Sequence, residues 1–111
     1  MKKIKVILVD DHAVVRTGYK ILLKNVANIN VIAETDTGEA AIELSCELKP
    51  DVVVMDISLP GINGIEAIRE ITTTNPDIKI LVFSMHEEVV FVERALQAGA
   101  IGYITKSSDP Q

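Results

Sequence analysis

The chain has 111 residues, a formal net charge of −5 and a hydrophobic content of 48%. This length suits one domain with a single core, and the hydrophobic content excludes a disordered chain. The acidic balance argues against nucleic-acid binding by this segment, because phosphate contacts need clustered Lys and Arg. A membrane-spanning helix needs about 18 consecutive apolar residues, and no apolar run in the sequence approaches that length. We also expect no signal peptide. The single cysteine, Cys46, excludes an intrachain disulfide framework and favours a cytoplasmic location.

Segments typical of strands and helices alternate along the chain. The hydrophobic patterns predict five strands, over Ile4–Val9, Val31–Glu34, Val52–Met55, Ile78–Phe83 and Ile101–Thr105. They predict four helices between these strands, over Ala13–Lys24, between Asp36 and Lys49, between Gly64 and Asn75, and between Glu87 and Gly99. Asp36, with Glu39 three residues later, has the form of a capping box. Alternation with short loops predicts an α/β fold with a doubly wound, five-stranded parallel sheet and helices on both faces. The pattern leaves the strand order open.

Polar side chains lie at the ends of four of the five predicted strands: Asp10 and Asp11 after the first, Asp56 after the third, Ser84 after the fourth and Lys106 after the fifth. The carboxyl ends of parallel strands meet at one edge of the sheet, which is where open α/β sheets bind ligands. Each residue alone is explained as well by a helix cap or a solvated side chain. Their shared position at the strand ends favours a functional site.

The chemistry of this set indicates phosphoryl transfer. Two carboxylates about 5 Å apart repel each other by about 3 kcal/mol at an effective dielectric constant of 20, so a cluster of three favours a bound cation. Oxygen ligands favour Mg²⁺, which keeps coordinated waters and accepts a phosphate oxygen. With Lys106 and Ser84 beside the metal, Asp56 can act as the nucleophile that accepts a phosphoryl group.

Three segments carry a resemblance to a known family. They are DDHAVVRTG at residues 10–18, MDISLPG at 55–61 and QAGAIGYITK at 97–106, together with Ser84 and Gly64. The chain resembles the receiver domain of bacterial two-component response regulators over essentially its full length, and the NarL/LuxR-type branch in particular. The resemblance implies the flavodoxin-like strand order 2-1-3-4-5. It also implies that residues 1–111 form one receiver domain.

The resemblance implies a phosphorylation switch as the function. A partner histidine kinase would donate a phosphoryl group to Asp56 with Mg²⁺ bound, and the domain would itself catalyse this transfer and its slow reversal by water. It is therefore not an enzyme in the usual sense. The output would be transcription, through a helix-turn-helix DNA-binding domain that is absent from this chain.

Matching residues take the family's roles in the metal site. Asp10 and Asp11 would bind Mg²⁺, together with Asp56 and the backbone carbonyl of Ile57. No other cofactor is implied. We interpret His12 and His86 as loop residues beside the site that tune water access, not as a metal-binding pair.

Three further residues would sense the phosphoryl group. Ser84 would donate its hydroxyl to it, and Lys106 would pair with it. Tyr103 matches the aromatic residue that turns inward on activation in many relatives; packing on the fourth helix is an equally good interpretation. Phosphorylation would thereby change the face formed by the fourth helix and the fifth strand.

Residues 107–111 read as the start of a helix, and the family places its fifth helix there. We therefore expect this helix to be missing or truncated. A helix that buries about 400 Å² of apolar surface contributes about 10 kcal/mol, so its loss would leave an apolar face that favours self-association.

Two alternatives remain beside a transcriptional receiver. One is a stand-alone receiver that acts as a phosphate-relay or protein-binding module. The other is a Mg²⁺-dependent phosphatase or a nucleotide-binding α/β protein. The second is disfavoured because the first strand ends without a glycine-rich phosphate-binding motif and because the nucleophile follows the third strand, not the first.

Overall fold

A computed structural model describes residues 3–59, 63–84 and 88–105. The strands are β1 (Ile4–Val9), β2 (Ile29–Thr35), β3 (Val52–Met55), β4 (Lys79–Ser84) and β5 (Gly102–Thr105), and the helices are α1 (Ala13–Lys24), α2 (Gly38–Leu48), α3 (Gly64–Thr74) and α4 (Val89–Ala98). Within these residues no helix is long and apolar enough to cross a membrane. The expected fifth helix falls on residues 107–111, outside the described ranges, and the described part contains four helices.

All five strands are parallel and hydrogen-bonded in the order β2-β1-β3-β4-β5. Both the predicted doubly wound α/β fold and the strand order 2-1-3-4-5 are therefore confirmed. The strands are in register at the edge where they end: Val9 pairs with Met55, and Met55 pairs with Val82. This register places the residues that follow β1 and β3 side by side.

The main core lies on the sheet face covered by α2, α3 and α4. Alternate residues of the central strands point into it, because successive side chains of a strand face opposite sides. They pack with helix residues into one buried cluster that includes Ile7, Val9, Val53, Met55, Ile80, Val82, Ala41, Ala67, Ile68, Ile71 and Ala95. The three central strands, which lead to Asp10, Asp56 and Ser84, are thus tightly packed against the helices on this face.

The opposite face is covered by α1, which has no fully buried residue. Tyr19 of α1 lies against Phe83 of β4, with the ring centroids 5.0 Å apart. Val14, Ile21 and Leu22 remain largely exposed on this helix. This side of the sheet is therefore covered much less completely than the α2–α4 side.

The start of α2 differs from the predicted capping box. Thr37, not Asp36, is the N-cap residue, and its hydroxyl accepts the backbone N–H of Ala40 at 3.1 Å. The reason is the length of β2, which pairs with β1 as far as Thr35 and moves the helix start along the chain. Glu39 then lies in the first turn, where its charge suits the helix dipole.

Candidate phosphoacceptor site

The sheet brings three predicted site residues to one edge. The backbone N–H of Asp56 donates to the carbonyl of Val9 at 3.0 Å, so Asp10 and Asp56 leave their strands at the same level. Ser84 is the last residue of β4, on the other side of β3. All three side chains are almost fully buried, with 1%, 3% and 0% of the residue surface exposed for Asp10, Asp56 and Ser84. Burying two carboxylates is costly unless they are paired or bind a cation.

The acidic residues form a compact cluster with a histidine. Asp10, Asp11, His12 and Asp56 each offer one ligand atom, and these atoms all lie within 4.8 Å of one another. The His12 ring nitrogen Nδ1 lies 2.9 Å from Oδ1 of Asp10 and 3.1 Å from Oδ1 of Asp11. Three carboxylates and an imidazole in so small a volume are a donor set that fits a divalent cation. The three carboxylates that were predicted to bind the metal are therefore placed together, with His12 beside them.

Arg16 anchors the acidic loop to the neighbouring strand. Its guanidinium donates to the backbone carbonyl of Asp10 and, through Nε, to Oε1 of Glu34 in β2 at 3.0 Å. Lys20 forms a second ion pair with Glu34. Hydrogen bonds from Lys20 and Arg16 hold the pKa of the Glu34 carboxyl below its ordinary value. The backbone that carries the acidic pair is thus tied to both β2 and α1.

Backbone hydrogen bonds orient the Asp56 side chain and close the loop after it. The N–H of Ser58 donates to Oδ1 of Asp56 at 3.0 Å. The N–H of Gly64 donates to the carbonyl of Ile57 at 3.1 Å. This bond uses one of the two lone pairs of the oxygen that was predicted to bind the metal.

Glycine is required at position 64 by close approach. A Cβ atom there would lie 2.3 Å from the Cα of Ile57 and 2.8 Å from the carbonyl oxygen of Asp56. Real Cβ atoms essentially never come within 3.0 Å of another heavy atom. The absence of a side chain therefore lets α3 begin directly against the backbone of Asp56 and Ile57.

Tyr103 connects the site to the last strand. Burial, with smaller contributions from the charges of Asp56 and Glu88, raises the pKa of the Tyr103 phenol; a hydrogen bond with Ser84 acts in the opposite direction. The half-buried ring packs against the main core. Tyr103 is therefore linked to the site through Ser84, in addition to its packing contacts.

His12 was expected in a loop beside the site and lies there, in contact with Asp10 and Asp11. Arg16 was given no role by sequence reasoning, although both residues lie in the DDHAVVRTG segment. Their spacing to Asp10 was a usable signal. Lys106 and His86 lie outside the described residues.

Comparison with known proteins identifies the family. The family described as the response regulator receiver domain matches residues 6–111. The chain belongs to this family. The curated relatives include response regulator GacA from Pseudomonas aeruginosa, which is 48% identical over 105 residues, covering 95% of this chain and 49% of GacA. The receiver thus spans about half the length of the curated relatives it matches.

Solved receivers of the LuxR and NarL type have the same fold. A two-component response regulator of the LuxR family from Aurantimonas sp. SI85-9A1 is 45% identical with a TM-score of 0.92, and the match covers 98% of this chain and 78% of that one. The signal receiver domain of the putative response regulator NarL from Mycobacterium tuberculosis is 34% identical with a TM-score of 0.93, covering 98% and 88%. These similarities support the NarL/LuxR-type branch for this receiver.

Proposed function

We propose that this receiver is a phosphorylation-dependent signalling switch in which Asp56 accepts a phosphoryl group from a histidine kinase. The observation that carries the proposal is the placement of Asp56. Its carboxylate is buried at a strand end, is oriented by the Ser58 N–H, and lies within 4.8 Å of the ligand atoms of Asp10 and Asp11. Burying such a charged group is costly unless it is paired or binds a cation, which supports a functional role for Asp56.

The chemical step follows from this placement. A carboxylate oxygen of Asp56 attacks the phosphorus atom of a phosphohistidine in line, the P–N bond breaks, and the leaving imidazole takes up a proton. The product is an acyl phosphate on Asp56. Attack of water on that phosphorus returns the carboxylate and inorganic phosphate, which resets the switch.

Asp10, Asp11 and Asp56 would hold Mg²⁺ in this site, with the remaining lone pair of the Ile57 carbonyl as a further ligand. When bound, the ion offsets the charge that builds on the transferred oxygens. Lys106, which follows β5 in the sequence, would supply a second positive charge. Ser84 would donate its hydroxyl to the phosphoryl group.

Ser84 and Tyr103 would transmit the modification. If the Ser84 hydroxyl leaves its present hydrogen bond with Tyr103 for the phosphoryl group, the phenol loses a partner and β5 can rearrange. Charge-assisted hydrogen bonds from Ser84 and Lys106 contribute about 1.5–3 kcal/mol each. Together they nearly supply the free-energy difference of about 5.5 kcal/mol that shifts a two-state equilibrium from 1:99 to 99:1. The exposed apolar side chains of α4 and its surroundings are the surface that would change: Val89, Val90, Leu96, Ile101 and Ile104.

In the whole protein, the receiver would control transcription through a helix-turn-helix DNA-binding domain. The support is that the chain covers only 49% of GacA. We place residues 1–111 in one receiver domain, with a cytoplasmic location and a sensor histidine kinase as partner. A stand-alone receiver in a phosphate relay is the alternative, and the sequence that adjoins these residues would discriminate between the two.

Self-association through the α1 face is a further part of the proposal. Val14, Ile21 and Leu22 are 85%, 59% and 67% exposed on α1, and apolar side chains in this number favour contact between copies. Sedimentation velocity over a range of concentrations should show a dimer, and Leu22→Glu should weaken it. A chain that stays monomeric at the highest concentration would contradict this part.

The central test is phosphorylation by a small phosphodonor with Mg²⁺, read by intact mass. The wild-type chain should gain one phosphoryl group that hydroxylamine removes, and Asp56→Asn should gain none. Asp77→Asn is a matched control, because Asp77 is an exposed carboxylate just before β4, at the opposite edge of the sheet. A wild-type chain without any mass gain, or a modified Asp56→Asn variant, would refute the proposal.

A further inference from the structure

A cavity of about 560 Å³ lies between the second half of α1 and the first half of β2. Its volume falls in the range of about 300–1,000 Å³ that is usual for ligand pockets. Lys3 and residues 29–31, which line it, belong to the starts of β1 and β2, whereas Asp10 and Asp56 follow the ends of their strands. The cavity is therefore remote from the proposed phosphoacceptor, and its use is a separate question from phosphorylation.

Three lysines line this cavity in a chain that is acidic as a whole: Lys3, Lys20 and Lys24. Lys20 pairs with Glu34, whereas Lys3 and Lys24 form no ion pair with any residue that the structure describes. Residues 1–33 contain six of the 11 lysines and arginines but only two of the 16 acidic residues. A concentration of positive charge on one part of a surface attracts acidic partners.

β2 adds unpaired backbone groups to this surface. In the described part of the chain it is the terminal strand of the sheet and pairs with β1 alone. The free edge of such a strand presents N–H and C=O groups to which an extended peptide can add as a further strand. β2 pairs regularly with β1 from Ile29 to Val31, before the register shifts. This regular stretch is the one that lines the cavity.

We propose that the β2 edge binds an extended acidic peptide segment of a partner protein. The backbone of the segment would pair with residues 29–31, and its carboxylates would face the three lysines. Ile21 also lines the cavity and is 59% exposed, so it offers an apolar wall to the aliphatic parts of the acidic side chains. Backbone pairing would then give affinity, and the lysines would select for acidic sequences.

The lining residues favour a peptide over other occupants. Nucleic acids are bound through aromatic side chains that stack on bases and through arginines that grip phosphates, and the cavity is lined by neither. A second copy of this chain would bring the same three lysines to the shared edge. Like charges would oppose that pairing, so the lysines also discriminate against self-pairing of β2.

The experiment titrates the 111-residue chain with a capped seven-residue peptide of alternating glutamate and valine. Valine favours the extended conformation, and the alternation places the glutamates on one side of the added strand. Two matched peptides serve as controls: one has lysine in place of glutamate, and the other keeps the glutamates but has N-methylated backbone amides. Amide chemical shifts from NMR locate the binding site and give the affinity.

The acidic peptide should shift the amide signals of residues 29–31 in a saturable way, and the lysine peptide should not. N-methylation should weaken binding about tenfold, because backbone hydrogen bonds are lost. The double variant Lys3→Glu and Lys24→Glu should also bind about tenfold more weakly. Lys79→Glu is the matched control, because Lys79 is an exposed lysine at the start of β4, two strands beyond β1, and it should change the affinity less than about twofold. The dispersion of the amide signals checks that each variant is folded.

Three results would overturn the inference: no shift at residues 29–31 with the acidic peptide, equal binding of the lysine peptide, or equal weakening by Lys79→Glu and the double variant. A single-stranded oligonucleotide that binds residues 29–31 more tightly than the acidic peptide would assign the surface to nucleic acid instead. The titration uses no phosphodonor, so its failure leaves the mass test of Asp56 unaffected.

Discussion

Replacing Gly64 by Ala tests how tightly the scaffold holds the backbone of Asp56, the proposed phosphoacceptor. Gly64 is the first residue of α3, and an added Cβ would meet the Cα of Ile57 at 2.3 Å and the carbonyl oxygen of Asp56 at 2.8 Å. Both atoms belong to the backbone, so they cannot move aside as a flexible side chain could. The clash can be relieved only by shifting α3 or the strand end that carries Asp56.

Two effects of opposite sign determine how much Gly64→Ala changes the free energy of unfolding. Ala stabilises a helix by up to about 1 kcal/mol relative to Gly. Forcing extra atoms into a packed site typically costs about 1–3 kcal/mol, and more where the backbone must shift. At 2.3 Å the second effect dominates, and we expect a net destabilisation of about 2 kcal/mol. A displacement of Asp56 by about 1 Å would also slow phosphorylation by about 100-fold.

Gly18→Ala is the matched control. Gly18 lies within α1, and a Cβ added there would meet nothing within 4 Å. This variant should be stabilised by about 0.4–1 kcal/mol, because Ala loses less backbone entropy on folding and the site has room for it. Urea denaturation gives both free energies of unfolding, and the mass gain from a small phosphodonor gives the rates. A Gly64→Ala variant as stable as the wild type and phosphorylated at the same rate would show that the close approach to Ile57 has no energetic consequence.

Three further predictions concern individual side chains. Ser84→Ala should fold but accept the phosphoryl group about 10–100-fold more slowly in the same mass assay, because one charge-assisted hydrogen bond of about 1.5–3 kcal/mol is lost; an unchanged rate would remove Ser84 from the site. Glu34→Gln should cost at most about 1 kcal/mol at neutral pH, because Glu34 is 32% exposed. The pKa of Glu34 in the folded state lies below its ordinary value of 4.5, so this stabilisation is present above that pH and disappears as the pH falls through the folded pKa. The unfolding curves of the wild type and the variant should therefore converge in acid. Asp56→Asn should lower the pKa of Tyr103 modestly, because a negative charge that opposes phenol ionisation is removed; tyrosinate absorbance measures this, and an upward shift would contradict the contact.

Much of the architecture was predictable because it depends on local patterns. Short β-branched runs such as Val52–Met55 are typical of strands buried on both faces, and their alternation with amphipathic segments leaves a parallel sheet as the simple solution. Once the sheet is parallel, residues after the strands must share an edge. The grouping of Asp10, Asp56 and Ser84 therefore follows from the sequence alone.

Errors arose where a neighbouring element decides the local structure. The pattern around Asp36 is compatible with a helix cap, but pairing of β2 with β1 carries the strand to Thr35 and transfers the cap to Thr37. Local preference was overruled by ladder hydrogen bonds that involve residues far away in sequence. The predicted position of one cap depended on a strand boundary that sequence patterns do not determine well.

The amino-acid sequence by itself determined the parallel sheet, the edge at which the acidic residues collect and the choice of Asp56 as the candidate acceptor. Only the tertiary structure decided what surrounds that residue: the His12 nitrogen between two carboxylates, the Arg16 guanidinium on the Asp10 carbonyl, and the approach of Gly64 to Ile57. The physical reason is distance along the chain and rotamer choice. The periodicity of a strand depends on residues that are neighbours in the sequence. These contacts depend instead on how side chains and backbone from separate elements are oriented once the core has packed.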